Sequence, residues 1–365
     1  MNKRQLIRFG FTLIIGLWFS MLNPIKTIAA GTFYVAPGGN DAHACTDPAA
    51  PCATIQAAVS KAAAGDAIKV SMGIYTSATD YVVYVDKDLD FLGGWDTDFN
   101  AQIGKSIIDG DGIRYDFWVI ESVTVTVNSF IFQNGRHGIA NLGNLSVSNC
   151  DLINNSTDDY YPASGIGNSG SLLIEFSNIS GNGNPNYSRG GGISHNSYDG
   201  KTVIIRNSTI SDNNAMVGGG IYTNGDLVVT NSTISNNKAH EYGMDGGGIR
   251  IAKGITTLKN VTIAGNESDA YGGGISISGG SLVMGNSIIA NNMANNSRDC
   301  YSSLPVNSLG YNIIGDSLGC VINVTLGDQL DVDPKLGILQ DNGGPTRTYS
   351  MYANSPAIDM GDPIV

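Results

Sequence analysis

The sequence predicts an all-β protein, a parallel β-helix that winds as a single-stranded solenoid behind one short N-terminal helix. Composition is the first reason: the chain of 365 residues holds 48 glycines, 42% apolar residues and 14% charged residues. Glycine weakens helices and favours tight turns, and the apolar content is too high for a disordered chain. The second reason is a Gly-Ile pair that recurs at a nearly constant spacing. The third is the strand-like run that follows each pair.

A nearly constant period runs through the middle of the chain. The residues after each Gly-Ile pair alternate apolar and polar, as at Leu227 and Val229, which is typical of strands. A fixed period in this range indicates stacked repeats. We expect each repeat to form one turn with about three short strands, paired in parallel roughly 4.8 Å from the next turn. The isoleucines of the pairs, separated by 27, 27, 28, 28 and 26 residues, are Ile139, Ile166, Ile193, Ile221, Ile249 and Ile275.

An asparagine interrupts the alternation at one position of nearly every repeat, where Phe176 is the exception. Asparagine tolerates the left-handed backbone of a tight bend, and stacked amides can bond to one another. The sequence therefore predicts a structural ladder of bends and amides at Asn149, Asn207, Asn231, Asn260 and Asn286.

The N-terminal segment 1–30 is predicted to be a secretory signal peptide. Basic residues Lys3, Arg4 and Arg8 precede an apolar run at 9–22, and small residues end at Ala30. The apolar run is shorter than the roughly 20 residues of a membrane span, although a membrane anchor is the alternative. After cleavage we expect an exported protein, secreted or at the cell surface, that is not integral to the membrane.

The net charge of the mature chain limits the classes of molecule that it is expected to bind. The signal segment holds four of the 20 basic residues and none of the 32 acidic ones, which leaves the mature chain with a net charge of −16. An acidic surface disfavours nucleic acid and anionic membranes, whereas neutral glycans and cations remain acceptable partners.

Three regions follow the signal peptide. Segment 31–67 is predicted to be an N-terminal cap with a helix at 54–65, in which Thr54 is the N-cap and Ile55 and Val59 share an apolar stripe. Such a cap covers the open edge of a solenoid. Segment 68–295 forms the rungs, and 296–365 contains the last rungs and a distinct C-terminal segment.

Five cysteines lie in the exported part, where disulfides persist. Two local pairs, Cys45–Cys52 and Cys300–Cys320, are predicted to form disulfides, and Cys150 is expected to be a buried thiol. The cysteine and histidine spacing predicts no zinc site and no cofactor. The "IIDGDG" stretch with Asp109 and Asp111 could bind Ca²⁺, although Asp-Gly is first a turn signal.

Several stretches resemble known families. "TFYVAPGGND" at 32–41, "CATIQAAVSKAAAGDAIKVSMGIY" at 52–75 and "FLGGWDTDFN" at 91–100 are similar to the opening of secreted bacterial right-handed parallel β-helix proteins of the pectate-lyase-like superfamily. The "GGGI" and "NSTISNN" rungs resemble polymorphic outer-membrane-protein repeats. "DNGGPTRTYSMYANSPAIDMGDP" at 341–363 resembles the choice-of-anchor Q domain, which in relatives usually precedes an anchoring segment. The resemblance implies a right-handed coil and a superfamily that includes polysaccharide lyases and hydrolases.

Loops just before the Gly-Ile pairs suggest a function. They occupy the same place in each rung and should stack along one edge of the rod. Aromatic rings there could stack on sugar rings while acids accept hydroxyl hydrogen bonds. The alternative is a set of solvated loops. The predicted ligand-binding residues are Tyr161, Tyr187, Tyr242 and Tyr271.

Three functions remain open at this point. The first is a non-enzymatic, adhesin-like protein that binds a polysaccharide, a cell-surface glycan or another surface along this loop edge. The second is a polysaccharide lyase or glycoside hydrolase that acts on acidic or plant or algal polysaccharide, with Asp158, Asp159 and Asp245 as the acids to test first. The third is a structural spacer, since fold alone does not establish catalysis.

Overall fold

The structure, a computed structural model, describes residues 31–156, 165–197, 199–240 and 245–362. The chain winds into a coil whose turns stack through parallel strands, which confirms the predicted right-handed parallel β-helix. The predicted signal peptide 1–30 lies outside the described residues and stays a prediction. Within the described ranges, no helix has the length and apolarity needed to span a membrane.

Three long ladders of parallel strands form the faces of the rod. The first face begins with the residues of the Gly-Ile pairs, and the isoleucines align in register from Ile139 to Ile275 as the period predicts. Numbered in chain order along the whole chain, its strands are β4 (Tyr81–Val85), β7 (Tyr115–Val119), β10 (His137–Asn141), β13 (Ile166–Asn168), β16 (Ile193–His195), β20 (Ile221–Asn224), β24 (Ile249–Lys253), β28 (Ile275–Ile277) and the first part of β32 (Cys300–Gly310).

The second face follows the first in each turn. Its strands are β1 (Thr32–Val35), β2 (Asp66–Ser71), β5 (Leu89–Trp95), β8 (Thr124–Asn128), β11 (Asn144–Ser148), β14 (Ser171–Glu175), β17 (Thr202–Arg206), β21 (Asp226–Thr230), β25 (Ile255–Lys259), β29 (Ser281–Gly285), the last part of β32 and β34 (Cys320–Asn323). Because β1 pairs with β2, this ladder already begins inside the predicted cap.

The third face completes each turn. Its strands are β3 (Ile74–Tyr75), β6 (Ser106–Asp109), β9 (Phe130–Gln133), β12 (Asp151–Ile153), β15 (Asn178–Ser180), β18 (Thr209–Ser211), β22 (Thr233–Ser235), β26 (Thr262–Ala264), β30 (Ile288–Ala290), β33 (Ile313–Ile314) and β35 (Gln329–Leu330). A short fourth ladder joins it to the loops before the first face and contains β19 (Asn214–Ala215), β23 (Lys238–Ala239), β27 (Glu267–Tyr271) and β31 (Met293–Asn296).

One thin core runs along the axis. Ile221, Leu227, Val229 and Ile234 of a single turn are all fully buried, as the alternation predicts. Helix α1 (Ile55–Lys61) packs Ile55 and Val59 against this core at the N-terminal end. The Thr54 side chain accepts a hydrogen bond from Ala57 N at 3.2 Å, so the predicted N-cap is confirmed.

The helix is shorter than the predicted 54–65. It ends at Lys61 because Ala62 is extended, with ψ of 148°. The Asp66 carboxylate then accepts a hydrogen bond from Ala63 N at 2.8 Å and turns the chain toward β2. Side-chain capture of a backbone donor competes with continued helix.

Both predicted disulfides, Cys45–Cys52 and Cys300–Cys320, are present. They are consistent with an extracellular protein. Cys150 is a free, fully buried thiol, also as predicted.

Cys150 should resist alkylation in the folded protein. Burial raises the pKa of its thiol to about 12, so the reactive thiolate is scarce at pH 8. We expect iodoacetamide to label Cys150 only after denaturation, as read by mass spectrometry of tryptic peptides. Rapid labelling of the native protein at this position would contradict the buried placement.

The five asparagines predicted as a ladder occupy bends between the second and third faces. All five adopt positive φ between 48° and 55°, as does Phe176 at 50°. One described hydrogen bond joins two of the five, from Asn260 Nδ2 to Asn231 Oδ1 at 3.0 Å. The predicted amide ladder is therefore wrong for the rest of the set, because these side chains point toward solvent or are only partly covered.

A buried amide ladder lies at the next bend, where the third face ends. Each amide Nδ2 donates to the Oδ1 of the next member at 2.9–3.0 Å, and to a carbonyl of the third face at 2.9–3.1 Å. The backbone N of each member donates to the same Oδ1. The members are Asn155, Asn182, Asn213, Asn237, Asn266 and Asn292, and the carboxylate of Asp299 accepts the last amide at 2.9 Å.

The C-terminal segment folds back onto the rod. Strands β36 (Leu336–Gln340) and β37 (Thr348–Met351) form an antiparallel hairpin. Arg347 donates to Ser211 Oγ at 2.9 Å, and the Tyr349 hydroxyl lies 2.5 Å from Ser235 Oγ. The hairpin therefore covers part of the third face.

Candidate binding face

One outward column of the first face combines small residues with aromatic ones. In successive rungs, it places Ala140, Gly167 and Ser194 side by side. Trp118 precedes these three residues and Tyr222 follows them. With strands about 4.8 Å apart, the two rings stand four rungs or about 19 Å apart along the axis. Ala140 and Gly167 are half-buried and Ser194 is buried. The column is therefore a shallow trough that is open at Ala140 and Gly167 and has an aromatic wall at each end, and we call it the first-face trough.

An aromatic cluster forms the N-terminal wall. Tyr81 and Tyr115 stack with centroids 5.4 Å apart, and Trp118 meets each of them edge-on at 5.4 and 5.2 Å. His137 stacks on Tyr115 at 4.8 Å. Such contacts hold the rings in place, so the wall is preorganised.

The C-terminal wall combines rings and cations. The Arg189 guanidinium lies 5.8 Å from the centroid of Tyr222, a geometry that favours attraction between cation and ring. In the next rung Arg250 donates to Ser276 Oγ at 2.8 Å. Further along, Tyr271 and Tyr301 have centroids 4.7 Å apart.

The predicted tyrosines fall into two groups. Tyr187 lies in a loop that leads into the first face, whereas Tyr271 is the last residue of β27. The structure brings Tyr271 against Tyr301 of the first face. Tyr187 is exposed, two residues before Arg189. Tyr161 and Tyr242 lie outside the described residues, so their alignment stays a prediction.

The predicted acids do not form an exposed pair in the described residues. Asp245 is fully buried, and Ser268 donates to its Oδ2 at 3.2 Å. Asp158 and Asp159 lie outside the described ranges. On the described strands of the first face, Asp116 is the one acidic residue, and it is fully buried. Burial, with a smaller contribution from the charge of Asp109, raises the pKa of the Asp116 carboxyl well above its usual value.

The Ca²⁺ hypothesis stays open at "IIDGDG", although both carboxylates have partners. Asp109 accepts hydrogen bonds from Gln133 and Asn134 at 2.7 and 3.1 Å, and Asp111 lies 3.3 Å from Arg114. Among the described residues, no three His, Cys, Asp or Glu side chains are grouped to hold a metal ion.

The outward aromatic column was not among the predicted binding residues. In the regular rungs the column is the residue directly after each Gly-Ile isoleucine, for example Tyr222 after Ile221. This signal could have been found from strand alternation. Tyr84 and Trp118 were harder to place because their strands, "YVVYV" and "YDFWV", lack the Gly-Ile pair.

Comparison with known proteins finds similarity to solved structures alone. No protein-family model and no curated protein matches the chain. Pectate lyase Pel9A is similar with a TM-score of 0.46 and 13% identity, over 84% of this chain and 80% of its own. A rhamnogalacturonan lyase gives 0.42 and 14%, over 89% and 96%. The GH136 lacto-N-biosidase from Eubacterium ramulus gives 0.33 and 11%, over 82% and 62%.

With TM-scores below 0.5, these likenesses assign neither a family nor an activity to this chain. The resemblances of the rungs to polymorphic outer-membrane-protein repeats and of 341–363 to the choice-of-anchor Q domain stay predictions.

Proposed function

We propose that this protein is an exported glycan-binding β-helix, which holds a polysaccharide chain along the first-face trough. The single observation behind the proposal is the column in which three small residues separate Trp118 from Tyr222. Small residues leave room for a chain to lie against the sheet. Aromatic walls offer ring faces to the apolar C–H faces of sugars.

Geometry favours an extended ligand. The trough runs parallel to the rod axis, so a linear chain can cross several rungs and contact both walls. The nearby polar residues Ser194, Ser276 and Arg250 are buried, so the proposed contacts with the sugar chain are mainly those of the two aromatic walls. The loop edge with Tyr187 and Tyr271 extends the same surface.

Binding without cleavage fits the described residues better than hydrolysis. Paired-carboxylate hydrolysis needs two carboxyl groups about 5–9.5 Å apart on either side of the bond. Asp116 and Asp245 are both fully buried, so neither can reach a substrate in this arrangement. The binding test described below also distinguishes the enzyme hypothesis and the structural-spacer hypothesis from glycan binding.

The test is a glycan array probed with the wild type and the double variant Trp118→Ala, Tyr222→Ala. With roughly 1 kcal/mol for each stacked ring, we expect about thirtyfold weaker binding in the double variant. Tyr352→Ala is the matched control, because Tyr352 is an exposed tyrosine of the C-terminal segment.

Equal binding by the double variant and the wild type would contradict the proposal. Absence of any glycan binding by the wild type would favour the spacer. New reducing ends or unsaturated uronates, assayed on the bound glycans, would instead favour the enzyme.

A further inference from the structure

A second cleft lies on another side of the rod, between the tip of the C-terminal hairpin and the third face. It has a volume of about 230 Å³. The rod side is polar except for one ring, and the hairpin side is the loop that joins β36 to β37. We call it the hairpin-tip cleft; its lining is Lys105, Asp151, Phe176, Asn178 and residues 341 and 344–347.

Phe176 departs from the residue pattern of the repeat. It stands where five other rungs have asparagine, and it adopts the same left-handed φ of 50°. Phenylalanine has no side-chain amide to offset this backbone strain. The residue is also 45% exposed. A strained, exposed aromatic side chain is an observation that invites a functional explanation.

The cleft also contains an acceptor that lacks a donor. Asn178 Oδ1 is buried and has no hydrogen-bond partner, while Asn178 Nδ2 is bonded to Ser180 Oγ at 3.1 Å. A buried acceptor without a partner is costly. This oxygen is buried in the structure, so a ligand hydroxyl supplies the missing donor only when the Asn178 side chain turns toward the cleft.

Charged groups complete the wall. Lys105 Nζ lies 2.8 Å from Asp151 Oδ2, and both side chains are partly exposed. Lysine still has donors to offer, and the carboxylate can accept further hydrogen bonds. Arg347 is engaged with Ser211 and Asp212, which holds one side of the hairpin loop in place.

We propose that the hairpin-tip cleft binds a single pyranose ring, with the Phe176 ring as its stacking platform. Asn178 Oδ1 and Asp151 accept hydrogen bonds from its hydroxyls, and Lys105 donates to them. The volume is below the roughly 300–1,000 Å³ of sites for drug-sized ligands, which fits one ring rather than an oligomer. The site does not depend on the first-face trough, because it is built from other residues on another face.

Phe176→Asn tests the proposal because asparagine is the residue that the other rungs use. The probes are methyl α-glucopyranoside, methyl α-mannopyranoside, methyl β-galactopyranoside and N-acetylglucosamine at millimolar concentration, measured by saturation-transfer NMR. We expect the wild type to bind at least one of them. Phe176→Asn should bind it about five- to tenfold more weakly, without a lower Tm because the backbone strain is relieved.

A second variant separates stacking from packing. Phe176→Leu keeps an apolar side chain beside the hairpin and removes only the ring, so we expect the same loss of binding. The Trp118→Ala, Tyr222→Ala variant should bind the methyl glycoside as the wild type does. Loss of binding in that variant would place the sugar on the first face and overturn the proposal that it binds in the hairpin-tip cleft. Full binding by Phe176→Leu or Phe176→Asn, or no binding of any probe by the wild type, would also overturn it.

Discussion

Replacing Asn237 with leucine should lower the free energy of unfolding by about 3–5 kcal/mol, because the change removes one member of a continuous buried ladder. Asn237 Nδ2 donates to Ile210 O and to Asn266 Oδ1 at 3.0 and 2.9 Å. Its Oδ1 accepts from both the backbone N and the Nδ2 of Asn213. Leucine would leave these buried groups without partners, and denaturant unfolding measures the cost.

Asn231 provides a matched control in the same rung. It is exposed, with φ of 48°. Asn231→Ala should therefore cost the strain of a left-handed alanine and one exposed hydrogen bond from Asn260, together about 1–2 kcal/mol. Equal losses from Asn231→Ala and Asn237→Leu would contradict the distinction between an exposed bend and a buried ladder.

The two asparagines show why the sequence located the ladder in the wrong place. Both recur with the same period, in the motif "NSTISNN", and each lies three residues from the apolar Ile234. Simple alternation does not continue through a bend. Asn236 has φ of 55° and turns the chain, so Asn237 points inward where alternation alone gives no answer.

The fold itself could be predicted because its cause is local and repeated. Each Gly-Ile pair gives the chain the same short turn and the same inward side chain, and equal spacing leaves parallel stacking as the arrangement that buries every isoleucine. Close packing between neighbouring rungs explains the glycines of the "GGGI" motif. A Cβ on Gly220 would lie 2.7 Å from Gly248 O in the next rung.

The candidate site was less predictable, since a surface column is defined by register between distant segments. Trp118 and Tyr222 form the two ends of the trough only because β7 and β20 are four rungs apart, with β10, β13 and β16 between them. Loop tyrosines such as Tyr187 were easier to notice, because aromatic residues in variable loops stand out in the sequence.

Filling the first-face trough should abolish glycan binding more completely than trimming its walls. Gly167 faces outward at the middle of the trough, and a Cβ there would have one neighbour within 4 Å, Ile139 O at 4.0 Å. Its φ lies outside the left-handed region, so Gly167→Trp can be accommodated without backbone strain. The indole would occupy the space that the proposed sugar chain needs.

We expect Gly167→Trp to weaken binding of the array-selected glycan by more than about a hundredfold, since the steric block affects the whole chain rather than one stacking contact worth about 1 kcal/mol. Calorimetric titration measures the affinity, and a thermal melt checks the fold. Gly38→Trp is the control, because Gly38 is exposed and a Cβ there would meet nothing within 4 Å. Undiminished binding by a folded Gly167→Trp variant would show that the glycan does not lie on the first face, because the tryptophan would stand directly in its path.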